Sequence, residues 1–451
     1  MEPYLSEYYR LPSDLPFRFS HRQRTGGAPG FFRFGSEAVC YGRCESGPIA
    51  KSPSTHLYDA LAEVHVEDHC VHLPFEPTEV IDNLRLERYA GLGTSGKNGL
   101  TGSAVVRKAY YGIRDLLPPQ ARRRFQRIYL RGWRKLPFPK WPVDFTVDTI
   151  HARLLQLAMN AMGVDRIPFI WFWPDGAPSC LVMTHDVETA VGVGFASGLM
   201  DMDDAHGIKS SFQVVPVGRY KIADDFVQEI RRRGFELNVH DFKHDGSLFQ
   251  DHAQFLLQAQ KINECVRNFQ SLGFRSGAMY RNQEWFQALD VSYDMSVPNV
   301  AHLEPQRGGC CTVMPYRIGK ILELPLTMTQ DYSMFHMLGD YSIDLWITEC
   351  EQILRRNGLI SFIVHPDYVV ERLARKVYLN LLGHLSRLVA DHKLWAALPG
   401  DVNRWWRSRS EMELVRDGDR WQIEGSDKER ARVAYAILEG DRLIYRLDEA
   451  S

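Results

Sequence analysis

The sequence predicts an α/β fold whose reactive groups stand at the ends of parallel strands. Three apolar runs carry that expectation, each ending in a titratable side chain. Cys180-Leu181-Val182-Met183-Thr184-His185-Asp186-Val187-Glu188 stops in two carboxylates one residue apart, and Phe235-Glu236-Leu237-Asn238-Val239-His240 stops in a histidine with His244 four residues on. Gly358-Leu359-Ile360-Ser361-Phe362-Ile363-Val364-His365-Pro366 stops in another histidine. A strand covered on both faces reads as a nearly unbroken apolar run. The C-terminal ends of such strands are where loops open and a ligand can meet fixed side chains.

If His244 lies on the first turn after its strand, the i,i+4 spacing puts both imidazoles on one face. With Asp186 or Glu188 they make a two-histidine, one-carboxylate set, which suits a catalytic divalent metal because it leaves coordination positions for water and substrate. Two surface histidines would explain the spacing on its own. The carboxylates upstream and His365 downstream favour a site.

The Thr184-x-Asp186 segment, His240-x-x-x-His244 and the late strand-end His365 together resemble the polysaccharide deacetylase (NodB-homology) family, over about residues 175 to 400. The resemblance implies a distorted (β/α) barrel that removes acetyl groups from N-acetylated sugars with a divalent metal, zinc being the ion it favours. It further implies that Asp186 is the base, that His240 and His244 are metal ligands, and that His365 is the acid. Phe274-Arg275-Ser276 occupies the place of the family's Arg-x-Pro-aromatic motif, making Arg275 the partner of the catalytic carboxylate. Tyr280 would supply the aromatic backbone N–H that faces the oxyanion, although Pro is absent and Tyr280 comes two residues late. The family's second aspartate, a metal ligand, is replaced by Val187, and Glu188 is the nearest carboxylate to take that role. A metal-independent amidohydrolase acting on a small cyclic amide, or a glycan-binding domain without turnover, are the alternatives.

At 451 residues with 45% apolar content the chain can build a large core with appendages. A net charge of −2 and a pI near 6.8 argue against a general affinity for nucleic acid. The N-terminus lacks the pattern of a signal peptide and no run has the length of a membrane span, so a cytoplasmic location is expected. Eight scattered cysteines suggest reduced thiols rather than a disulfide framework.

Three segments are expected along the chain: residues 1–150, a β-hairpin and a basic helical region; 151–400, the barrel; and 401–451, a β-meander. Phe31–Phe34 and Ala38–Tyr41 about Gly35-Ser36 read as the hairpin. His65, His69 and His72 cannot share one face of a strand, so a second metal site is not favoured. Gly91 to Asn98 almost spells a phosphate-binding loop, but Asn98 stands where it needs Ser or Thr, so a Gly/Ser-rich connection is the better reading.

The 105–140 stretch alternates arginines with aromatic residues. That composition suits peripheral membrane contact or an acidic polysaccharide, but helices with arginines snorkelling over the barrel are favoured. Pro118-Pro119 divides the stretch, and Leu136 to Pro142 reads as an extended strap. Thr149–Met162 is an amphipathic helix leading to an apolar strand, Ile167–Trp173. Asp201, Asp203 and Asp204 read as a solvated helix face. Glu323 and Asp331 follow a strand and are open to either a groove or a packing role.

Overall fold

The computed structural model describes residues 3–21, 27–45, 47–54, 56–90, 128 and 130–448. The Gly91–Asn98 loop and most of the basic 105–140 stretch, with its expected helix pair, lie outside the described residues. The chain divides into two compact units that do not follow the three consecutive segments expected.

One unit comprises Met1–Gly93, Asp144–Ala177 and Arg404–Ser451. Strand β1 (Arg18–His21) runs parallel to β5 (Cys70–Leu73), and β4 (His65–Glu67) pairs antiparallel with β5. The expected hairpin is β2 (Gly30–Arg33) with β3 (Val39–Gly42), its turn entered through Gly35 at φ 79°. The histidine-rich run is itself a hairpin, because Asp68 and His69 both take positive φ, as a tight hairpin turn requires. His65 and His72 are thereby paired and stacked at 4.6 Å, while the His69 ring turns to the Ala161 carbonyl.

The helix Thr146–Met162 starts three residues earlier than expected, where the Asp144 carboxylate accepts from the Thr146 N–H at 2.8 Å. It buries Val147, Ile150, Leu154, Leu155 and Ala158 and stops at Gly163, φ 66°. The apolar run after it does not lead into the barrel. Its strand is β6 (Arg166–Ile170), which pairs with a strand from the end of the chain. Of the four C-terminal strands, β16 (Glu413–Asp417) and β17 (Arg420–Glu424) form one two-stranded sheet. The hairpin of β18 (Val433–Glu439) and β19 (Arg442–Leu447) takes β6 as its third strand. As an edge strand β6 tolerates Pro168, whose missing N–H faces no partner strand.

The other unit comprises Thr94–Val143 and Pro178–Asn403 and carries the barrel. Its strands are β7 (Ser179–Val187), β8 (Ser210–Val214), β9 (Glu236–His240), β10 (Gly273–Arg275), β11 (Tyr293–Asp294), β12 (Tyr316–Ile318), β13 (Ile321–Glu323), β14 (Leu359–Ile363) and β15 (Leu394–Ala396). They form a nine-stranded sheet in the order β12-β13-β11-β10-β9-β8-β7-β14, with β15 added beside β7. All pairings are parallel except β12 with β13.

The sheet curls back on itself through the segment after β13. Met328 N–H donates to the Ser361 carbonyl at 3.3 Å, and Thr327 Oγ1 accepts from Ser361 N–H at 2.9 Å while donating to the Leu359 carbonyl at 2.7 Å. The result is a distorted (β/α) barrel in which a hydroxyl stands in for part of a ladder. Helices Ala190–Ala205, Asp224–Arg232, His252–Asn268, Asp344–Leu354 and Arg372–Ala390 fall between its strands, as right-handed parallel crossovers require.

All of β7 is buried, and its two-residue period sorts its side chains. His185 faces the helices, where Nδ1 donates to the Val364 carbonyl at 3.0 Å and Nε2 lies 2.9 Å from Asp203 Oδ2. Asp203 also accepts from Ser210 and Tyr378, so it is fully buried rather than part of the expected solvated face. Asp201 and Asp204 do remain outside, paired with Arg233. Asp186 and Glu188 have the parity of Thr184 and turn the other way.

Among the described residues no helix is long and apolar enough to cross a membrane, and the cysteines are free thiols.

Candidate metal centre and acid–base groups

Strand ends bring the six expected site residues together. Asp186 comes from β7, His240 from β9, Arg275 from β10 and His365 from just beyond β14, while Glu188 and His244 lie on the loops after β7 and β9. Ligand atoms of Glu188, His240 and His244 all lie within 4.8 Å of one another. His240 Nε2 is 3.7 Å from Asp186 Oδ2, and His365 Nε2 is 3.7 Å from Glu188 Oε1.

His244 reaches this cluster by a different route from the expected helical turn. The next helix begins only at His252, and the chain between is irregular, with left-handed backbone at Asp241 (φ 57°) and His244 (φ 54°). Asp241 secures the bend by accepting from the N–H groups of Phe242 and Gly277. Arg219 donates to the His244 carbonyl at 2.6 Å, its contact with Nδ1 being a longer 3.4 Å. The two imidazoles end 4.8 Å apart between ring centres.

The donor set fits a divalent cation. His240 Nδ1 donates to the Arg275 carbonyl at 3.1 Å, which fixes the tautomer and leaves an unprotonated Nε2 facing the cluster. Glu188 Oε1 is 2.9 Å from His244 Nε2 but out of line for a hydrogen bond, so both Nε2 atoms are buried without a hydrogen-bond partner. Two orphaned imidazole nitrogens beside a carboxylate are the pattern of ligands waiting for an ion, since buried polar atoms are otherwise nearly always satisfied.

The charges are set by opposing effects. Burial raises the Asp186 carboxyl, but Arg275 at 2.8 Å, with His240 and His365, outweighs it and holds Asp186 below its ordinary value. Burial also opposes ionisation of Glu188, and His244 overrides it to hold this carboxyl well below the usual range. For His240 burial dominates and pushes it down to about 4, whereas at His244 the adjacent Glu188 more than offsets burial and raises it.

Arg275 is fully buried and shares its guanidinium among three acceptors. Nη1 donates to Asp186 at 2.8 Å and to Thr184 Oγ1 at 2.7 Å, and Nε donates to the Met295 carbonyl at 3.0 Å. Tyr280 is not placed as expected: its N–H donates to the Gly277 carbonyl at 3.2 Å. A turn with positive φ at Ala278 and Met279 folds it back.

Asp331 is part of the site, which the sequence left open. It accepts from His365 Nδ1 at 2.6 Å and from the His365 backbone N–H at 2.7 Å. Burial would lower His365, but Asp331 overrides it and lifts the imidazole to about 10. Glu323 takes the packing role instead, accepting from Val297 N–H beneath the barrel mouth.

No family model matches the chain, and no curated protein sequence does. Similar solved structures exist. One is a candidate polysaccharide deacetylase from Mycobacterium smegmatis, 16% identical over 55% of this chain and 97% of that chain, TM-score 0.43. Another is the Puue allantoinase, 12% identical over 52% and 92%, TM-score 0.41. The peptidoglycan deacetylase PdaC from Bacillus subtilis is 10% identical over 51% and 93%, TM-score 0.32. These likenesses are of low identity and span about half of this chain; the chemistry of the site rests on its own side chains.

Proposed function

We propose that this protein is a metal-dependent hydrolase that removes the acetyl group from an N-acetylated sugar or polysaccharide intermediate. The observation that carries the reading is the meeting, at one barrel mouth, of Glu188, His240 and His244 with the Arg275-paired Asp186 carboxylate and the Asp331-paired His365 imidazole. Amide hydrolysis needs an activated water, stabilisation of the oxyanion, and a proton for the departing nitrogen.

Glu188, His240 and His244 would hold a divalent cation, zinc being favoured by the mixed nitrogen and oxygen set. When bound it would polarise the acetyl carbonyl and acidify water. Asp186, kept ionised by Arg275, takes the proton of the attacking water. His365, kept protonated by Asp331, gives a proton to the sugar nitrogen as the C–N bond breaks. Water adds to the carbonyl carbon, so the products are acetate and the free amine.

The Glu188–His244 ion pair favours a second reading, because it balances charge at the site without any cation. That reading is metal-independent hydrolysis of a small cyclic amide. The two are separated by assaying acetate release from N-acetylhexosamine oligomers. Loss with a chelator and recovery with zinc or another divalent ion supports the first, and ring opening of a cyclic amide unaffected by chelator supports the second.

A further inference from the structure

Glu188 lies beyond the end of its strand, where a backbone free to rotate would leave a ligand poorly aimed. The peptide unit that joins it to Val187 is instead held at both ends. Its carbonyl, on Val187, accepts from the Tyr220 hydroxyl at 2.6 Å, and that hydroxyl itself accepts from Val215 N–H at 2.9 Å. Its N–H, on Glu188, donates to Asp367 Oδ2 at 3.1 Å. The other Asp367 oxygen accepts from the Thr189 hydroxyl, which in turn caps the helix Ala190–Ala205 by accepting from Val191 N–H.

Asp367 sits two residues after His365, and Tyr220 follows β8. The clamp therefore ties the Glu188 loop to the two neighbouring strand ends. Gly192 makes room for it. A Cβ there would stand 2.4 Å from Asp367 Oδ2 and 2.8 Å from Cγ.

We propose that Asp367 and Tyr220 are positioning residues that fix the Val187–Glu188 peptide and so present Glu188 as the metal ligand that Val187 cannot be. The proposal rests on the metal-dependent reading above. Hydrogen-bonding partners behind a ligand commonly govern metal affinity by about 10- to 100-fold without touching the ion.

The test is the zinc dissociation constant, measured by competition with a chromophoric chelator, for wild type, Asp367→Ala, Tyr220→Phe and Gly192→Ala. Gly192→Ala is informative because the clash falls on a movable carboxylate while alanine favours the helix. It should displace Asp367 with the melting temperature kept, and it serves if Asp367→Ala does not fold. The expected result is zinc binding about 10- to 100-fold weaker in Asp367→Ala and Gly192→Ala and weaker in Tyr220→Phe, with turnover restored at saturating zinc. A purely structural role would not give that recovery. Affinity equal to wild type in Asp367→Ala and Gly192→Ala, or turnover that saturating zinc does not restore, overturns the clamp alone. A wild type that binds neither zinc nor another divalent ion overturns the metal reading and the clamp with it.

Discussion

Asp331 grips His365 through both carboxylate oxygens, one on the ring at 2.6 Å and one on the backbone N–H at 2.7 Å. The grip fixes the ring's direction and its charge together, because Nδ1–H faces the carboxylate and Nε2–H is left toward Glu188. Under the proposed function, a proton held this way would be available to a leaving nitrogen throughout the neutral range.

Asp331→Asn removes the charge that holds His365 up at about 10. Burial then acts unopposed by its main counterweight, and the imidazole loses its proton at lower pH. The basic limb of the turnover profile should move to lower pH, with a fall in kcat of about 10²- to 10⁴-fold where the acid is lost. An unmoved limb in a pH–rate series would remove His365 from the role of acid.

Arg275→Met keeps bulk but leaves Asp186 buried beside an absent charge. Breaking one side of such a pair costs about 3–5 kcal/mol, readable as a lower urea midpoint. Asp186 should also rise, because burial now dominates, and the acid limb of activity should move to higher pH. A stability loss with no change in that limb would mean that Arg275 serves packing only.

Glu349 tests the electrostatics of the core away from the site. Burial lifts it from 4.5 to about 8, although both oxygens accept from Thr329. A raised folded value means that the stabilising, protonated form is fully present below about 4.5 and is lost as pH climbs toward 8. Glu349→Gln should therefore gain stability relative to wild type across that window, by roughly 4–5 kcal/mol at its upper end. Parallel stability curves for the two proteins between pH 5 and 8 would contradict the shift.

Much of the barrel was legible because β7, β9 and β14 are apolar runs that stop at charged side chains. Asp186, His240 and His365 lie on or next to those ends, where local pattern and position coincide, whereas Arg275, at the end of β10, was legible only through the family resemblance. His244 was legible as a residue but not as a conformation, since its left-handed backbone is stabilised by Asp241 and Arg219, which no local spacing reveals. Asp331, open in the sequence to a groove or a packing role, and Asp367 and Tyr220, which no local pattern marks, act through partners far along the chain. Asp203 looked solvated beside two exposed aspartates, yet hydroxyls of Ser210 and Tyr378 donate to it and His185 packs against it in the core. Pairing of β6 with β18 was equally invisible, because strand partners are chosen by tertiary packing.

The most direct test of the central claim is the metal content of purified wild type, Glu188→Gln and Asp186→Asn, read beside their turnover. Glu188→Gln should lose metal and turnover together, whereas Asp186→Asn should keep its metal and lose only turnover, because one removes a ligand and the other the base. Metal loss confined to Asp186→Asn would exchange the two roles, and metal content unchanged in both variants would contradict the proposed centre.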